Sequence, residues 1–127
     1  MSREPVVVDA SALGPYSPAV VAEGRFVYVA GQGPLRDDDY TPDTIAAETR
    51  LALENVFHIL AAAGAGPADV VRCGVYLADI GDFDEMNAAY AEAFPAPRPA
   101  RTTIQAALPG GIKVEIDCVA VLPDSSG

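Results

Sequence analysis

The sequence predicts an α+β domain in which two helices pack on one face of a mixed sheet. Short runs of β-branched and aromatic residues are typical of strands, and two longer segments repeat apolar residues at three and four positions, as amphipathic helices do. Their order along the chain is β-β-α-β-α-β-β. A chain of 127 residues is long enough for one hydrophobic core, so we expect a single domain over residues 1–127.

The first half of the chain predicts two strands and a helix. The strands are expected at 6–8 and 26–30, on either side of a loop rich in Gly, Pro and Ser. Thr41 followed by Pro42 has the form of an N-cap and a proline at the first helical position. The first helix is therefore predicted from there to about Ala63.

The spacing of apolar residues assigns a packing face to this helix. Residues that recur at helical spacing form that face: Thr49, Leu53, Val56, Phe57 and Leu60. Polar residues fall largely elsewhere on the helix and are expected in solvent: Glu48, Arg50, Glu54 and His58. His58 is the only histidine, so its expected exposure removes the usual general base and any histidine metal site.

The second half predicts one more helix between strands. A strand is expected over 70–77, and the segment 82–85 has the spacing of a capping box that opens the second helix. Its packing stripe comprises Phe83, Met86, Asn87, Tyr90 and Phe94. A proline-rich connection over 95–99 leads to two closing strands, at 102–107 and 112–121.

A sheet with both helices on one face leaves its other face uncovered. The last strand is expected to present Val119 and Val121 on that face. A contiguous apolar surface of this kind requires a cover, and a second copy of the chain supplies one. We therefore expect a homo-oligomer.

Composition excludes several classes of function. The net charge is -10 and Lys113 is the only lysine, so a nucleic acid is an unsuitable partner. The apolar runs are too short to span a membrane and the N-terminus has no apolar signal core, so a soluble cytoplasmic protein is expected. Cys73 and Cys118 lack a metal-binding spacing and are interpreted as buried, reduced core residues. No metal or cofactor is expected.

Arg101 and Glu115 are the candidate polar pair, on two short strands taken to be neighbours. Arg101 follows a proline-rich approach in an acidic chain, which slightly favours an anchor for a carboxylate over an ordinary surface salt bridge. Glu115 interrupts a strand with apolar positions on both sides. A carboxylate beside an apolar site is suited to moving protons. On pattern alone solvent exposure is favoured for Glu115, unless a subunit covers its face.

Two further polar residues are weaker candidates. Tyr16 lies in a loop between prolines, where its phenol either caps an apolar pocket or simply packs in the loop. Asn87 falls on the packing stripe of the second helix, and a structural hydrogen bond to a nearby loop is the safer interpretation.

Taken together, a set of short motifs resembles the RidA/YjgF family over residues 14–121. These motifs are G-P-Y-S-P-A, V-Y-V-A-G-Q, E-T-R-x-A-L-E-N-V, D-F-D-E-M-N-A-A-Y, P-A-R-T-T-I and V-E-I-D-C-V-A-V. The resemblance implies a chorismate-mutase-like fold assembled as a homotrimer, with three clefts between subunits. It also implies hydrolysis of 2-enamine and 2-imine acids, such as 2-aminoacrylate and 2-iminopropanoate, to 2-keto acids and ammonia without a cofactor.

The resemblance carries roles onto matching positions of this chain. Arg101 matches the arginine that binds the substrate carboxylate, and Glu115 the glutamate that positions water; Tyr16 is a further catalytic position, expected from a different subunit than Arg101. The substrate pocket positions are Ala30, Gly31, Asn87 and Thr103. Ala30 stands where many members have serine, Thr103 where cysteine is common, and the link from Arg101 to Glu115 is one residue shorter.

These departures leave two other functions open. One is a related enzyme that acts on a larger imine or enamine in a specialised biosynthetic pathway, which the loss of a hydroxyl at Ala30 favours. The other is a protein that binds small carboxylates without turnover, using the same Arg101. An endoribonuclease role is disfavoured by the acidic charge and the lack of a placed histidine.

Overall fold

The computed structural model describes residues 3–8 and 13–123. Eight strands and two α-helices follow one another within these residues: β1 Arg3–Pro5, β2 Val20–Ala22, β3 Phe26–Gln32, β4 Leu35–Arg36, β5 Asp39–Tyr40, α1 Ile45–Ala62, β6 Val70–Leu77, α2 Phe83–Ala93, β7 Ala100–Gln105 and β8 Val114–Val121. The predicted α+β class is confirmed, and β2, β4 and β5 are short additional strands.

The main sheet has four strands in the order β3-β8-β6-β7. β6 pairs with β7 in parallel, whereas β8 is antiparallel to both β3 and β6, so the sheet is mixed as predicted. β6 therefore lies between β7 and β8. The expectation that the strands of Arg101 and Glu115 are neighbours is wrong, because β6 pairs with both strands and separates them.

Both helices cover the same face of this sheet. Buried side chains of α1, α2 and the inward face of the strands form one cluster that includes Leu53, Val56, Met86, Tyr90, Val75, Ile116 and Cys118. The opposite face exposes large apolar side chains, among them Phe26, Tyr28 and Ile104. Val121 pairs with Phe26 and is therefore on that face, as predicted, but it is only 2 % exposed, since the loop at Gly24 lies against its side chain.

The strand over 70–77 matches the structure, whereas several other predicted bounds do not. The first strand is Arg3–Pro5 rather than 6–8. α1 begins after Thr44, whose hydroxyl accepts a hydrogen bond from the amide of Ala47, and not at Thr41. Asp82 precedes α2 as predicted, but its side chain makes no capping hydrogen bond.

Glu48 was expected in solvent but is 2 % exposed, and this prediction is wrong. The carboxylate accepts hydrogen bonds from the Tyr40 hydroxyl (2.8 Å), the Asp43 amide (3.0 Å), and the amide (3.0 Å) and ammonium (3.1 Å) of Lys113. These four donors satisfy the carboxylate, which makes its burial tolerable.

Cys73 and Cys118 are buried and unpaired, as predicted. They lie directly opposite each other on β6 and β8. Burial raises the pKa of each thiol to about 12, so both remain protonated at neutral pH. His58 is exposed on α1, also as predicted.

Candidate active site

Arg101 is buried at the start of β7, with its guanidinium surrounded by aromatic rings. Its Cζ atom lies 4.8 Å from the ring centre of Tyr90, 5.0 Å from that of Tyr16 and 5.6 Å from that of Phe83. Ring faces attract a cation, so the three rings hold the guanidinium in place without neutralising it. Burial lowers the pKa of Arg101, but an arginine remains charged.

The hydrogen-bonding atoms of Arg101 divide into two groups. Nη1 lies 4.0 Å from the Sδ atom of Met86, a weak acceptor. Nε and Nη2 are buried and have no hydrogen-bond partner among residues 3–8 and 13–123, and within the same residues Arg101 forms no ion pair. A guanidinium with free donors fits a carboxylate in a two-point contact.

The loop that holds Tyr16 is attached to the start of β7. The Ser17 amide donates to the Pro99 carbonyl (3.0 Å), and the Ser17 hydroxyl donates to the Arg98 carbonyl. This attachment places the Tyr16 ring against Arg101 within one chain. The expectation that these two residues come from different subunits is therefore wrong.

Asn87 and Thr103 belong to the same region as Arg101. Both have a buried side-chain oxygen without a partner among the described residues, Oδ1 of Asn87 and Oγ1 of Thr103. The structural hydrogen bond expected for Asn87 is therefore not observed at Oδ1. We call Tyr16, Asn87, Arg101 and Thr103 the arginine cluster.

Glu115 lies on β8 with Gly31 and Ala30 close by on β3. The pairing of β3 with β8 shifts register between Val29 and Gln32, which places Ala30 and Gly31 at an irregularity. A Cβ atom on Gly31 would overlap Oε2 of Glu115, so the absent side chain lets the carboxylate lie over the backbone. We call Ala30, Gly31 and Glu115 the glutamate cluster.

The two clusters lie on opposite faces of the sheet. Arg101 aligns with Cys73 and contacts α2, so it is on the covered face. Glu115 alternates with the buried Val114 and Ile116 and is therefore on the open face. One chain thus brings together the predicted residues within each cluster but does not bring Arg101 to Glu115.

Sequence reasoning missed several residues that shape the arginine cluster. Phe83, Met86 and Tyr90 were assigned only to the packing stripe of α2, yet they also contact Arg101. Gly14 was noted only as part of a motif, and it lies next to the Arg101 guanidinium. An apolar stripe carries no signal that distinguishes packing on a cation from packing on a core.

Metal binding finds no support in the geometry of the described residues. Across residues 3–8 and 13–123, no group of three or more His, Cys, Asp or Glu side chains is arranged to hold a metal ion.

None of the helices in the described part of the chain combines the length and apolar character needed to cross a membrane.

Comparison with known proteins shows the family of this chain. The sequence model described as endoribonuclease L-PSP matches residues 7–122 of this chain. The chain belongs to the RidA/YjgF family. This result confirms the resemblance that the motifs indicated.

Curated relatives within the RidA/YjgF family carry several names. The mitochondrial protein mmf2 of Schizosaccharomyces pombe is 40% identical over 111 residues, which cover 84% of this chain and 87% of that protein. The 2-iminobutanoate/2-iminopropanoate deaminase of Bos taurus is 42% identical over 114 residues, 87% of this chain and 82% of that protein. Imine deamination is thus an activity named within the family.

A solved structure agrees with the fold. The crystal structure of Escherichia coli TdcF with bound serine has a TM-score of 0.73 and 34% identity, and it covers 88% of this chain and 91% of that one. The two-helix, mixed-sheet architecture is therefore that of the RidA/YjgF family.

Proposed function

We propose that this protein hydrolyses 2-imino and 2-enamino acids of the 2-iminopropanoate and 2-aminoacrylate type to 2-keto acids and ammonia. The observation that carries the proposal is the buried Arg101 guanidinium, whose Nε and Nη2 atoms have no partner among the described residues. A small substrate carboxylate supplies the missing acceptors. The named deaminase relative and the serine bound in TdcF support a small ligand that carries a carboxylate.

The catalytic site is composed of two copies of the chain. Because Arg101 and Glu115 lie on opposite faces of one sheet, a cleft that contains both requires the arginine cluster of one copy and the glutamate cluster of another. The exposed Phe26, Tyr28 and Ile104 on the open face give the copies an apolar surface to share. A homotrimer with three such clefts is the assembly that we propose.

The reaction requires orientation and proton transfer rather than a strong nucleophile. Arg101 fixes the carboxylate, and Tyr16 lies beside it as a further wall with a hydroxyl group. The oxygen of a water molecule bonds to C2 of the imine while Glu115 accepts a proton from that water. The proton then passes from Glu115 to the imine nitrogen. The hydroxyl proton of the resulting carbinolamine then passes to the nitrogen through Glu115 as the C2–N bond breaks and the C2=O bond forms, which releases ammonia and leaves the 2-keto acid.

Pocket residues contribute position rather than chemistry. Gly31 and Thr103 present backbone dipoles to the substrate nitrogen and the attacking water, and Asn87 offers its unpartnered Oδ1. Ala30 is exposed beside Gly31 and forms a wall without a hydroxyl. No cofactor or metal takes part in the proposed steps.

The test measures the loss of 2-iminopropanoate that an amino acid oxidase generates in place, with semicarbazide as the competing trap. Wild-type protein is expected to accelerate release of pyruvate and ammonia. Arg101→Ala is expected to lower kcat/KM by about 100-fold or more, because a buried charge contact to the substrate is lost. Arg36→Ala is the matched control, since Arg36 is 71 % exposed and outside both clusters.

Three results would contradict the proposal. No acceleration by folded wild-type protein would exclude deamination of small imines and direct the search to larger imine substrates. Retained carboxylate binding without turnover, in both wild type and Glu115→Gln, would indicate a binding protein. Cleavage of RNA by purified protein would instead favour an endoribonuclease, the activity for which the matching sequence family is named. The net charge of -10 makes RNA binding unfavourable.

A further inference from the structure

Gly14 lies beside the unpartnered donors of Arg101, where a side chain would overlap them. A Cβ atom built on Gly14 would be 2.9 Å from Nη2 of Arg101, and 3.2 Å and 3.3 Å from Nδ2 and Oδ1 of Asn87. Real Cβ atoms essentially never approach another heavy atom within 3.0 Å. Any side chain at position 14 would thus compete with the guanidinium for the same space.

The surroundings of Gly14 have little freedom to move away. Arg101 is 9 % exposed and its guanidinium lies among three aromatic rings. The loop itself is tight, since the Tyr16 amide donates to the Gly14 carbonyl at 2.9 Å. Ser17 attaches the end of this loop to the Pro99 carbonyl at 3.0 Å. A methyl group at position 14 would therefore remain next to Nη2.

Backbone conformation does not explain the glycine at this position. The glycines that adopt a positive φ in the described residues are Gly24, Gly64, Gly110 and Gly111, and Gly14 is not among them. A residue with a side chain can adopt the backbone of Gly14 without the strain of the left-handed region. The absence of a side chain is explained by the close approach of Gly14 to Arg101.

We propose that Gly14 is a positioning residue: because it has no side chain, the loop packs directly against Arg101 and holds the guanidinium in the place where it binds the carboxylate of a small 2-imino or 2-keto acid. This inference rests on the proposed function. Nη2 of Arg101 and the side-chain amide of Asn87 both lie against Gly14, and Nε and Nη2 have no partner among the described residues. A methyl group at position 14 would displace the guanidinium from this place.

The experiment compares Gly14→Ala with Gly66→Ala, which carries the same change at a harmless position. Gly66 has φ -144°, and a Cβ atom added to it would have no neighbouring atom within 4 Å, so a methyl group there meets open space. Pyruvate serves as a stable ligand, and its binding is measured by calorimetry, with KM and kcat for 2-iminopropanoate measured in parallel. Thermal unfolding of each variant reports whether the fold is retained.

We expect Gly14→Ala to weaken pyruvate binding and raise KM by about tenfold or more, while Gly66→Ala leaves both unchanged. If Gly14→Ala is unstable, we use the double variant Gly14→Ala/Asn87→Ala. It removes the overlap between the new methyl group and the side-chain amide of Asn87, and it keeps the methyl group next to Nη2 of Arg101. Its reference is Asn87→Ala alone, and the same loss is expected.

The outcomes separate this inference from the proposed function. Normal pyruvate binding and KM in Gly14→Ala would overturn the role of Gly14, while the imine assay with Arg101→Ala would still decide the deaminase activity. A wild-type protein that binds no pyruvate would also overturn the role of Gly14. Imine turnover would then show whether the protein deaminates imines although it does not bind pyruvate. Equal losses in Gly14→Ala and Gly66→Ala would indicate a general effect on folding and would overturn the role of Gly14 too.

Discussion

Glu48 and Arg101 are two charged side chains buried in the same domain, with relative exposures of 2 % and 9 %. Glu48 accepts four hydrogen bonds, one of them from the ammonium of Lys113. Arg101 is held by aromatic rings and a thioether, and two of its nitrogen atoms have no partner among the described residues. The protein thus satisfies one buried charge and leaves the other available.

This difference separates a structural charge from a charge that we propose binds a ligand. A buried ion is costly unless hydrogen bonds replace its water, and Glu48 obtains them from Tyr40, Asp43 and Lys113. Arg101 would obtain the same compensation from a ligand. Removal of each charge should therefore affect different properties, stability for Glu48 and ligand binding for Arg101.

The largest expected effect on stability is that of Glu48→Gln. The amide keeps the shape of the side chain but loses the charge that faces Lys113, so we expect the free energy of unfolding to fall by about 2–4 kcal/mol. Urea unfolding at one fixed protein concentration measures the loss. Imine hydrolysis per folded protein should remain at the wild-type level, because Glu48 lies outside both clusters.

Glu54→Gln is the control for this change, since Glu54 is 63 % exposed and faces Arg36 at 3.9 Å. A solvated pair of this kind contributes little, so its loss should change stability by less than about 1 kcal/mol. Equal effects of the two variants would contradict the structural role of Glu48. A loss of turnover in folded Glu48→Gln would break the comparison with Arg101.

Acidification should remove the stabilisation by the Glu48 carboxylate from the wild-type protein. Burial alone raises the pKa of Glu48, but the hydrogen bonds from Asp43, Lys113 and Tyr40 outweigh it and lower the pKa below the ordinary 4.5. The stabilisation is then fully present above that ordinary value and is lost as pH falls through the folded-state pKa. The stability gap between wild type and Glu48→Gln should therefore narrow on acidification, and a gap that widens would contradict this sign.

The sequence predicted elements well where packing alone determined them. The strand at 70–77 and the buried positions Leu53, Val56 and Leu60 follow from periodicity, because one face of each element meets the core. Tertiary hydrogen bonds decided what periodicity could not. Glu48 has the spacing of a solvated residue, and its donors come from two separate segments of the chain.

The candidate site was predictable in its residue types but not in its geometry. The proline-rich approach to Arg101 indicated an anchor, and the family resemblance gave a role to Glu115, for which pattern alone favoured solvent exposure. Strand order placed β6 between them and put them on opposite faces, which no local pattern specifies. The close contact of Gly14 with Arg101 depends on a loop that lies over β7, so it too required the tertiary structure.

The smallest expected effect tests whether the aromatic rings position Arg101. Phe83→Leu keeps an apolar side chain but removes the ring whose centre lies 5.6 Å from the guanidinium carbon. We expect KM for 2-iminopropanoate to rise about two- to fivefold with kcat little changed, the size of one cation–π contact. Phe83→Tyr restores the ring and should restore KM.

Phe57→Leu is the matched control for this change. Phe57 is also partly buried, but it packs edge-on against Phe94, with ring centres 5.4 Å apart, and not on Arg101. A general loss of aromatic packing would lower the stability of both variants and leave KM unchanged in each. A KM increase confined to Phe83→Leu and reversed by Phe83→Tyr would show that the rings keep the unpartnered charge in position, as four hydrogen bonds do for Glu48. An equal KM increase in Phe57→Leu would contradict that role.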